Sequence, residues 1–308
     1  MNFLIVGPGA MGCLFAASLK RAGFRVTLLD YLQDRAAQIN SRGVRVEGIG
    51  GEYSVRVPTV VGEGPSDTDL VLICVKSPKT MEAARSLESW IPGRAKVMSL
   101  QNGLGNLETL ADIFGEDRVM GGVTAEGATL LGPGHVRHAG QGDTEIGPAG
   151  DPRGVVERTV SAFNRAGFST KSTDRVTELI WGKLIVNIGI NALAAITGLK
   201  NGLVPEIEGT RLVMEGAVSE AVAVAEAKGV RLPYPEPLER VKEVCRLTAA
   251  NIASMLQDVL GRRMTEIDFI NGAIVREGKT LNIPTPVNHT LTALVRAIQE
   301  SYRDRVRS

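Results

Sequence analysis

The segment Gly7-Pro8-Gly9-Ala10-Met11-Gly12 constrains this chain more than any other. It follows an apolar run, Phe3-Leu4-Ile5-Val6, and precedes Cys13 to Ala22, which reads as a helix. Glycines at that spacing become informative between a strand and a helix, because each then has a steric task. The first makes the tight turn, the second lets the main chain approach a pyrophosphate, and the third lets helix and strand pack closely. The first turn of the helix offers unpaired N–H groups and a positive dipole end to phosphate.

From residue 2 to about 150, short apolar runs alternate with amphipathic stretches, the pattern of parallel strands with crossover helices. Further strands are expected at Val26 to Leu29, Leu70 to Val75, Lys96 to Leu100, Val119 to Thr124 and His135 to Gly147. Val44 to Val61 alternates with period two around Gly48, Gly50 and Gly51, and predicts an antiparallel hairpin inserted in the sheet. Pro148 to Gly154 reads as a turn, Arg153 to Gly167 as a helix and Phe168 to Thr170 as a short strand. Beyond residue 177 long helical patterns take over: Val176 to Thr197, Thr210 to Lys228, Pro235 to Leu260, Arg263 to Lys279 and Val287 to Arg303. Gly198, Gly229, Pro233 to Pro237, Gly278 and Pro284 to Pro286 punctuate them. The expected fold is α/β: a Rossmann-type dinucleotide-binding domain over 1–177, an all-helical domain over 178–308, and an active site in the cleft between them.

Composition excludes several functions. The 308 residues carry 35 Lys+Arg against 34 Asp+Glu, without the basic footprint of a nucleic-acid or anionic-membrane binder. Seven Phe, four Tyr and two Trp are few for a protein that stacks bases or sugars. Cys13, Cys74 and Cys245 lie far apart without a CxxC pair, against a disulfide framework or zinc knuckle and in favour of a reducing, cytoplasmic setting. His135 and His138 sit in a glycine-rich, turn-prone stretch, and no metal site is expected. The apolar stretch from Phe3 to Leu19 lacks a basic leading segment and is broken by glycines, so it is not read as a signal peptide. No spanning helix is expected. Arg303, Arg305 and Arg307 read as a solvated helix end.

Polar residues after the apolar runs occupy the ligand-binding ends of an open parallel sheet. Asp30 ends the second strand, 18 positions beyond Gly12, where a carboxylate would bond an adenosine ribose and repel a 2′-phosphate. It favours NAD(H), although Arg35 could swing over such a phosphate. Lys76 and Gln101-Asn102-Gly103 end two further runs and could hold cofactor phosphates, the nicotinamide ribose or an anionic substrate. In Trp181 to Asn191, Lys183, Asn187 and Asn191 recur every four positions and share one helix face among apolar neighbours. Such a buried set needs a paired network or a ligand, and a desolvated lysine is a proton donor suited to a carbonyl oxygen. Asn251, Ser254, Glu266 and Asp268 form a second set. On one continuous helix Ser254 and Glu266 would be roughly 18 Å apart, so a shared ligand requires a break, for which Gly261 is placed.

GPGAMG at 7–12, VK at 75–76, QNGLGN at 101–106, WGKLIVN at 181–187, and SMLQD with TEIDFINGAIV over 254–275 together resemble the ketopantoate reductase (2-dehydropantoate 2-reductase) family, along essentially the whole chain. The resemblance implies a 6-phosphogluconate-dehydrogenase-like second domain and NADP(H)-dependent reduction of 2-dehydropantoate to (R)-pantoate, a step of pantothenate biosynthesis. It implies Lys183 as general acid, with Glu266 assisting at the reacting oxygen. Asn102 and Lys76 would help hold cofactor and substrate, with Gly7 to Gly12 on the dinucleotide. Asn187, Asn191 and Asn201 would line the substrate pocket, and Ser254 would bind the substrate carboxylate. Asp30 departs from the family pattern, which commonly has a basic residue there. The partner expected is a small 2-oxo acid, with no nucleic acid or membrane and with a homodimer left open. The alternatives are a reductase of another small 2-oxo acid or imine, or a dinucleotide-binding regulator without turnover, against which Lys183 and Glu266 both speak.

Overall fold

A computed structural model describes residues 1–148 and 153–304. The chain divides into two compact units, Met1–Gln101 with Asn106–Val176, and Asn102–Gly105 with Thr177–Ser308.

The first unit contains β1 (Asn2–Val6), β2 (Arg25–Asp30), β3 (Val44–Gly48), β4 (Tyr53–Val55), β5 (Thr59–Val61), β6 (Leu70–Ile73), β7 (Lys96–Ser99), β8 (Val119–Thr124), β9 (Gly127–Gly132), β10 (His135–Gly140), β11 (Thr144–Pro148) and β12 (Thr170–Ser172). Its helices are α1 (Ala10–Arg21), α2 (Gln33–Arg42), α3 (Thr80–Glu88), α4 (Asn106–Phe114) and α5 (Arg153–Arg165). An eight-stranded sheet runs β12-β11-β8-β7-β6-β1-β2-β5. From β5 to β8 neighbours are parallel, and β11 joins β8 antiparallel. The order reverses at β1, between β2 and β6, so the loop after Val6 lies at the switch point where such sheets bind ligands.

Both faces of this sheet are covered, which accounts for its nearly continuous apolar strands. Phe3 and Ile5 of β1 join Leu14, Phe15 and Leu19 of α1 in one core. Leu4 and Val6, pointing the opposite way, join Ala84 and Leu87 of α3 and Leu110 and Phe114 of α4 in another. Helix α1 is buried from Gly12 to Leu19, because it also packs beneath a second sheet of order β4-β3-β10-β9.

That second sheet corrects the expected insertion of the Val44 to Val61 hairpin into the main sheet. Strands β3 and β4 do pair antiparallel, but β3 pairs parallel with β10 in the separate sheet, and only β5 joins the main one. Val44 and Val46 pack with Val136 in the core that holds α1, so covering this helix decides the placement. The last strand begins at Thr170 rather than Phe168, whose ring packs instead against Phe15 and Phe163. The turn expected at Pro148 to Gly154 lies largely outside the described residues. So do Arg305 and Arg307, while Arg303 sits in the turn after the last helix.

The second unit is helical: α6 (Val176–Thr197), α7 (Glu208–Ala227), α8 (Pro237–Leu247), α9 (Ser254–Leu260), α10 (Asn271–Leu281) and α11 (Pro286–Glu300). By length and composition α6 could cross a membrane. Here it forms the unit's core helix, with Trp181, Leu184, Ile185 and Ile188 buried among side chains of α7, α8 and α10.

Two expected helices are broken. Pro235 to Leu260 becomes α8 and α9, and Arg263 to Lys279 becomes a 3₁₀ turn at Ile267–Phe269 followed by α10. At the first break the carbonyls of Ala249 and Asn251 leave the helical ladder to accept the N–H groups of Gly202 and Asn201. At the second, α9 ends at Gly261 and Arg262 turns left-handed at φ 50°. Ser254 and Glu266 are thus not spaced along one rod.

Candidate active site

In the first unit, sterics require glycine at two positions of the loop after β1. Gly7 has φ 99°, and a Cβ on it would lie 2.9 Å from the Val75 nitrogen. On Gly12 a Cβ would meet the Gly7 carbonyl oxygen at 2.1 Å, whereas on Gly9 it would enter open space. Gly9 leaves an open side where a pyrophosphate could be held, and α1 begins there without a side-chain cap or an acidic residue in its first turn. Pro8 is buried and its carbonyl accepts the Cys13 thiol, while Ala10 and Met11 form the helix's first turn. Gly12→Ala is expected to abolish the rise in melting temperature that NADP+ gives the native protein, since the loop must open to admit the methyl group. A variant still stabilised to the native extent would remove Gly12 from this role.

Asp30 is not the bare carboxylate the sequence suggests. Its side chain is 0% exposed, and Arg35, reaching back from α2, clasps it with Nη2 at 2.5 Å from Oδ1 and Nε at 2.6 Å from Oδ2. The N–H groups of Tyr31 and Leu32 also donate to Oδ1. Arg35 remains 25% exposed, lies over the Tyr31 ring and has its pKa raised by the hydrogen bond to Asp30. The acidic strand end that the sequence offers is thus paired with Arg35, and the partly exposed member of the pair is the guanidinium.

Lys76 is exposed and precedes the 3₁₀ turn Ser77–Lys79 at the carboxyl end of β6. Gln101, whose role the sequence left open, holds that end of the sheet together. Its Nε2 donates to the Val75 carbonyl at 2.7 Å and to the Thr80 hydroxyl at 2.9 Å, and its Oε1 accepts from Ser99. Thr80 in turn donates to Asn106, which donates to Ser77. His135 pairs with Glu47 at 2.9 Å and His138 with Glu126 at 2.5 Å. Among the described residues no cluster could hold a metal ion.

In the second unit, α6 brings Lys183, Asn187 and Asn191 to one face. Burial lowers the Lys183 ammonium pKa to about 8, against the opposing pull of the nearby Glu266 carboxylate. Glu266 immediately precedes the 3₁₀ turn and accepts from Asn102 Nδ2 at 3.3 Å. The Asn102–Gly105 segment clasps that turn. Leu104 N–H donates to the Phe269 carbonyl at 2.9 Å, and Gly103, at φ 87°, approaches so closely that a Cβ would stand 2.3 Å from the same oxygen. Gly103 is therefore required by a contact as well as by its dihedral angle.

The Nδ2 atoms of Asn187 and Asn191 and the Oδ1 of Asn201 are buried with no hydrogen-bond partner. The Oδ1 of Asn271 is likewise without a partner, although its Nδ2 donates to Asn288 at 3.0 Å, and atoms of this kind could be met by a bound ligand. Ser254 stands exposed as the first residue of α9. Of the remaining candidates, Asp268 is bound to Arg296 at 2.6 Å and Asn251 is exposed with its carbonyl on Asn201. Sequence reading missed Thr248, which receives the Asn201 amide at 3.0 Å; a threonine at a helix end carries no distinguishing signal.

Comparison with known proteins identifies the family. Residues 3–151 match the family model described as ketopantoate reductase PanE/ApbA, and residues 175–299 match its C-terminal counterpart. The chain is 39% identical over 305 residues to 2-dehydropantoate 2-reductase of Halobacterium salinarum, covering 97% of this chain and 99% of that one. A PanE/ApbA family ketopantoate reductase from Ralstonia eutropha superposes with a TM-score of 0.90 at 36% identity, covering 98% and 99%. D-mandelate dehydrogenase in its ternary structure with NADH and anilino(oxo)acetate superposes with 0.91 at 28% identity and the same coverage. With the glycine cradle in one unit and the lysine–glutamate pair in the other, these matches establish that the chain belongs to the ketopantoate reductase PanE/ApbA family.

Proposed function

We propose that this protein reduces 2-dehydropantoate to (R)-pantoate, with Lys183 as the proton donor and Glu266 as its partner. The observation that carries this reading is an ammonium group whose pKa burial has brought to about 8, next to a carboxylate and on the same helix face as two amides with unspent donors. The bound dinucleotide supplies the hydride that ends on C2 of the substrate. Lys183 holds its proton at Nζ and gives it to the carbonyl oxygen as negative charge develops there, which is where a prepositioned donor lowers the barrier most. Glu266 keeps the lysine protonated at neutral pH. The donors of Asn187 and Asn191 suit the carboxylate and carbonyl oxygens of a 2-oxo acid, and Ser254 suits the carboxylate. Lys76 and the glycine loop would hold the phosphates, and Arg35 would take a 2′-phosphate, favouring NADPH.

A second reading, reduction of a different 2-oxo acid, is supported by the likeness to D-mandelate dehydrogenase. Absorbance at 340 nm with a panel of 2-oxo acids and each reduced nicotinamide in turn tests both. The expected result is highest kcat/KM with 2-dehydropantoate and NADPH; a higher value with phenylglyoxylate would favour the second reading.

The lysine also fixes a pH dependence. Because the protonated form is the donor, kcat/KM for reduction is expected to be flat near pH 7 and to fall about tenfold per unit above about pH 8, while oxidation of pantoate rises over the same range. Glu266→Gln removes the charge that holds the proton on, so the descending limb should move to lower pH. A limb that stays in place in that variant would separate the two residues.

A further inference from the structure

We propose that Tyr234 is a positioning residue for the proton donor: presented by a stiff loop, its hydroxyl ties the turn of α6 on which Lys183 stands. The inference rests on the reading of Lys183 as general acid and adds to it what keeps that residue in place.

The tie begins at a glycine. Tyr234 donates its hydroxyl hydrogen to the carbonyl oxygen of Gly182, the residue before Lys183. In an α-helix that oxygen already accepts the N–H four residues on, so the tyrosine takes its second lone pair. Only glycine leaves room for the approach: a Cβ at residue 182 would stand 2.6 Å from Pro233 Cγ and 3.2 Å from the Tyr234 hydroxyl oxygen. Burial pushes the Tyr234 phenol up from its ordinary value, so the hydroxyl keeps its hydrogen and remains the donor.

The loop that carries Tyr234 is built to hold still. It runs between α7 and α8, where Pro233, Pro235 and Pro237 fix every second φ angle and restrict the residue before each. Leu232 and Leu238, one on either side of Tyr234, pack against the helical core.

The contact bears on α6 away from its polar row. Gly189 lies only about 20° from Gly182 around the helix. It is pressed as hard, since a Cβ there would lie 2.6 Å from Val241 Cγ1 of α8. Lys183, Asn187 and Asn191 lie about 100° to 180° round from Gly182. Loop and α8 thus close on one side of α6, and the two glycines set how far forward the polar row stands on the other. Lys183 Nζ ends a flexible four-carbon stem, so its aim depends on where its backbone is held. A shift of about 1 Å in a reacting group can cost a hundredfold in rate, and a fraction of that shift several-fold.

The test is a double-mutant cycle between Tyr234→Phe, which removes one oxygen, and Lys183→Ala, read as the single-turnover rate of NADPH oxidation with 2-dehydropantoate. Tyr234→Phe alone should slow that rate about five- to tenfold, with the NADP+ dissociation constant and the KM for 2-dehydropantoate within about twofold of native. The solvent deuterium isotope effect on the rate should grow, because a misplaced donor makes proton transfer more limiting. Added to Lys183→Ala, the same substitution should cost nothing further. Gly182→Ala pushes the loop away from the helix side and should reproduce the slower rate and the larger isotope effect, and it decides the matter if Tyr234→Phe does not fold. A Tyr234→Phe rate within about twofold of native overturns the proposal. So does an unchanged isotope effect, or an equal loss with and without Lys183, the mark of a tyrosine that supports the fold and not the donor. Full activity in Lys183→Ala defeats the general-acid reading itself and the proposal with it.

Discussion

Lys183→Ala is expected to lower kcat by about 10²- to 10⁴-fold, the range typical of losing a positioned general acid, while the affinity for NADP+ stays within about twofold. The separation follows from the architecture, because the glycine cradle belongs to one compact unit and Lys183 to the other. Lys183→Met preserves the volume and isolates a second consequence. A lysine whose folded pKa is about 8, below its ordinary 10.5, binds fewer protons folded than unfolded between those values. Stability attributable to this group therefore rises with pH through that window, and below pH 8 its buried charge is a burden on the fold. The methionine variant should melt no lower than the native protein at pH 7 while remaining nearly inactive. Residual activity above one tenth of native would assign the proton to another donor, and a sharp fall in melting temperature would mean that the ammonium stabilises its surroundings.

The candidate lysine stands out in the sequence, while its surroundings are only partly legible there. A lysine and two asparagines at four-residue spacing in an otherwise apolar helix violate the pattern of a core element, and such violations occur where function outweighs stability. The glycine loop was equally legible, because steric exclusion at Gly7 and Gly12 admits almost no other residue. What failed was anything decided by partners distant in sequence. The Val44 to Val61 segment looks like any hairpin until α1 is known to need a cover. The breaks at 248–253 and after Gly261 fall inside good helical periodicity, because the carbonyls that leave the ladder are claimed by Asn201 and Gly202, some 50 residues earlier. The Asp30–Arg35 pair is a related case: the position of Asp30 is legible in sequence, but that Arg35 folds back onto it is not.

Replacing Arg35 should consequently change which cofactor the protein prefers. In the native structure the Asp30 carboxylate is shielded and neutralised, and the guanidinium is the group within reach of solvent. A charge-assisted hydrogen bond to a phosphate contributes about 1.5–3 kcal/mol, which corresponds to roughly ten- to a hundredfold in affinity. Arg35→Ala removes that contribution and uncovers a carboxylate at the end of β2, which repels a 2′-phosphate and accepts ribose hydroxyls. NADP+ should then bind at least tenfold more weakly in a fluorescence titration, while NAD+ binds as well as before or better, so the preference inverts. Asp30→Asn separates the two effects: it keeps the guanidinium but loosens its hold, and should retain most of the NADP+ affinity. The double substitution Asp30→Asn with Arg35→Ala leaves neither charge, and should weaken NADP+ without strengthening NAD+. If NADP+ affinity in Arg35→Ala stays within twofold of native, the 2′-phosphate is recognised elsewhere, and the exposed Lys79 after β6 becomes the residue to replace.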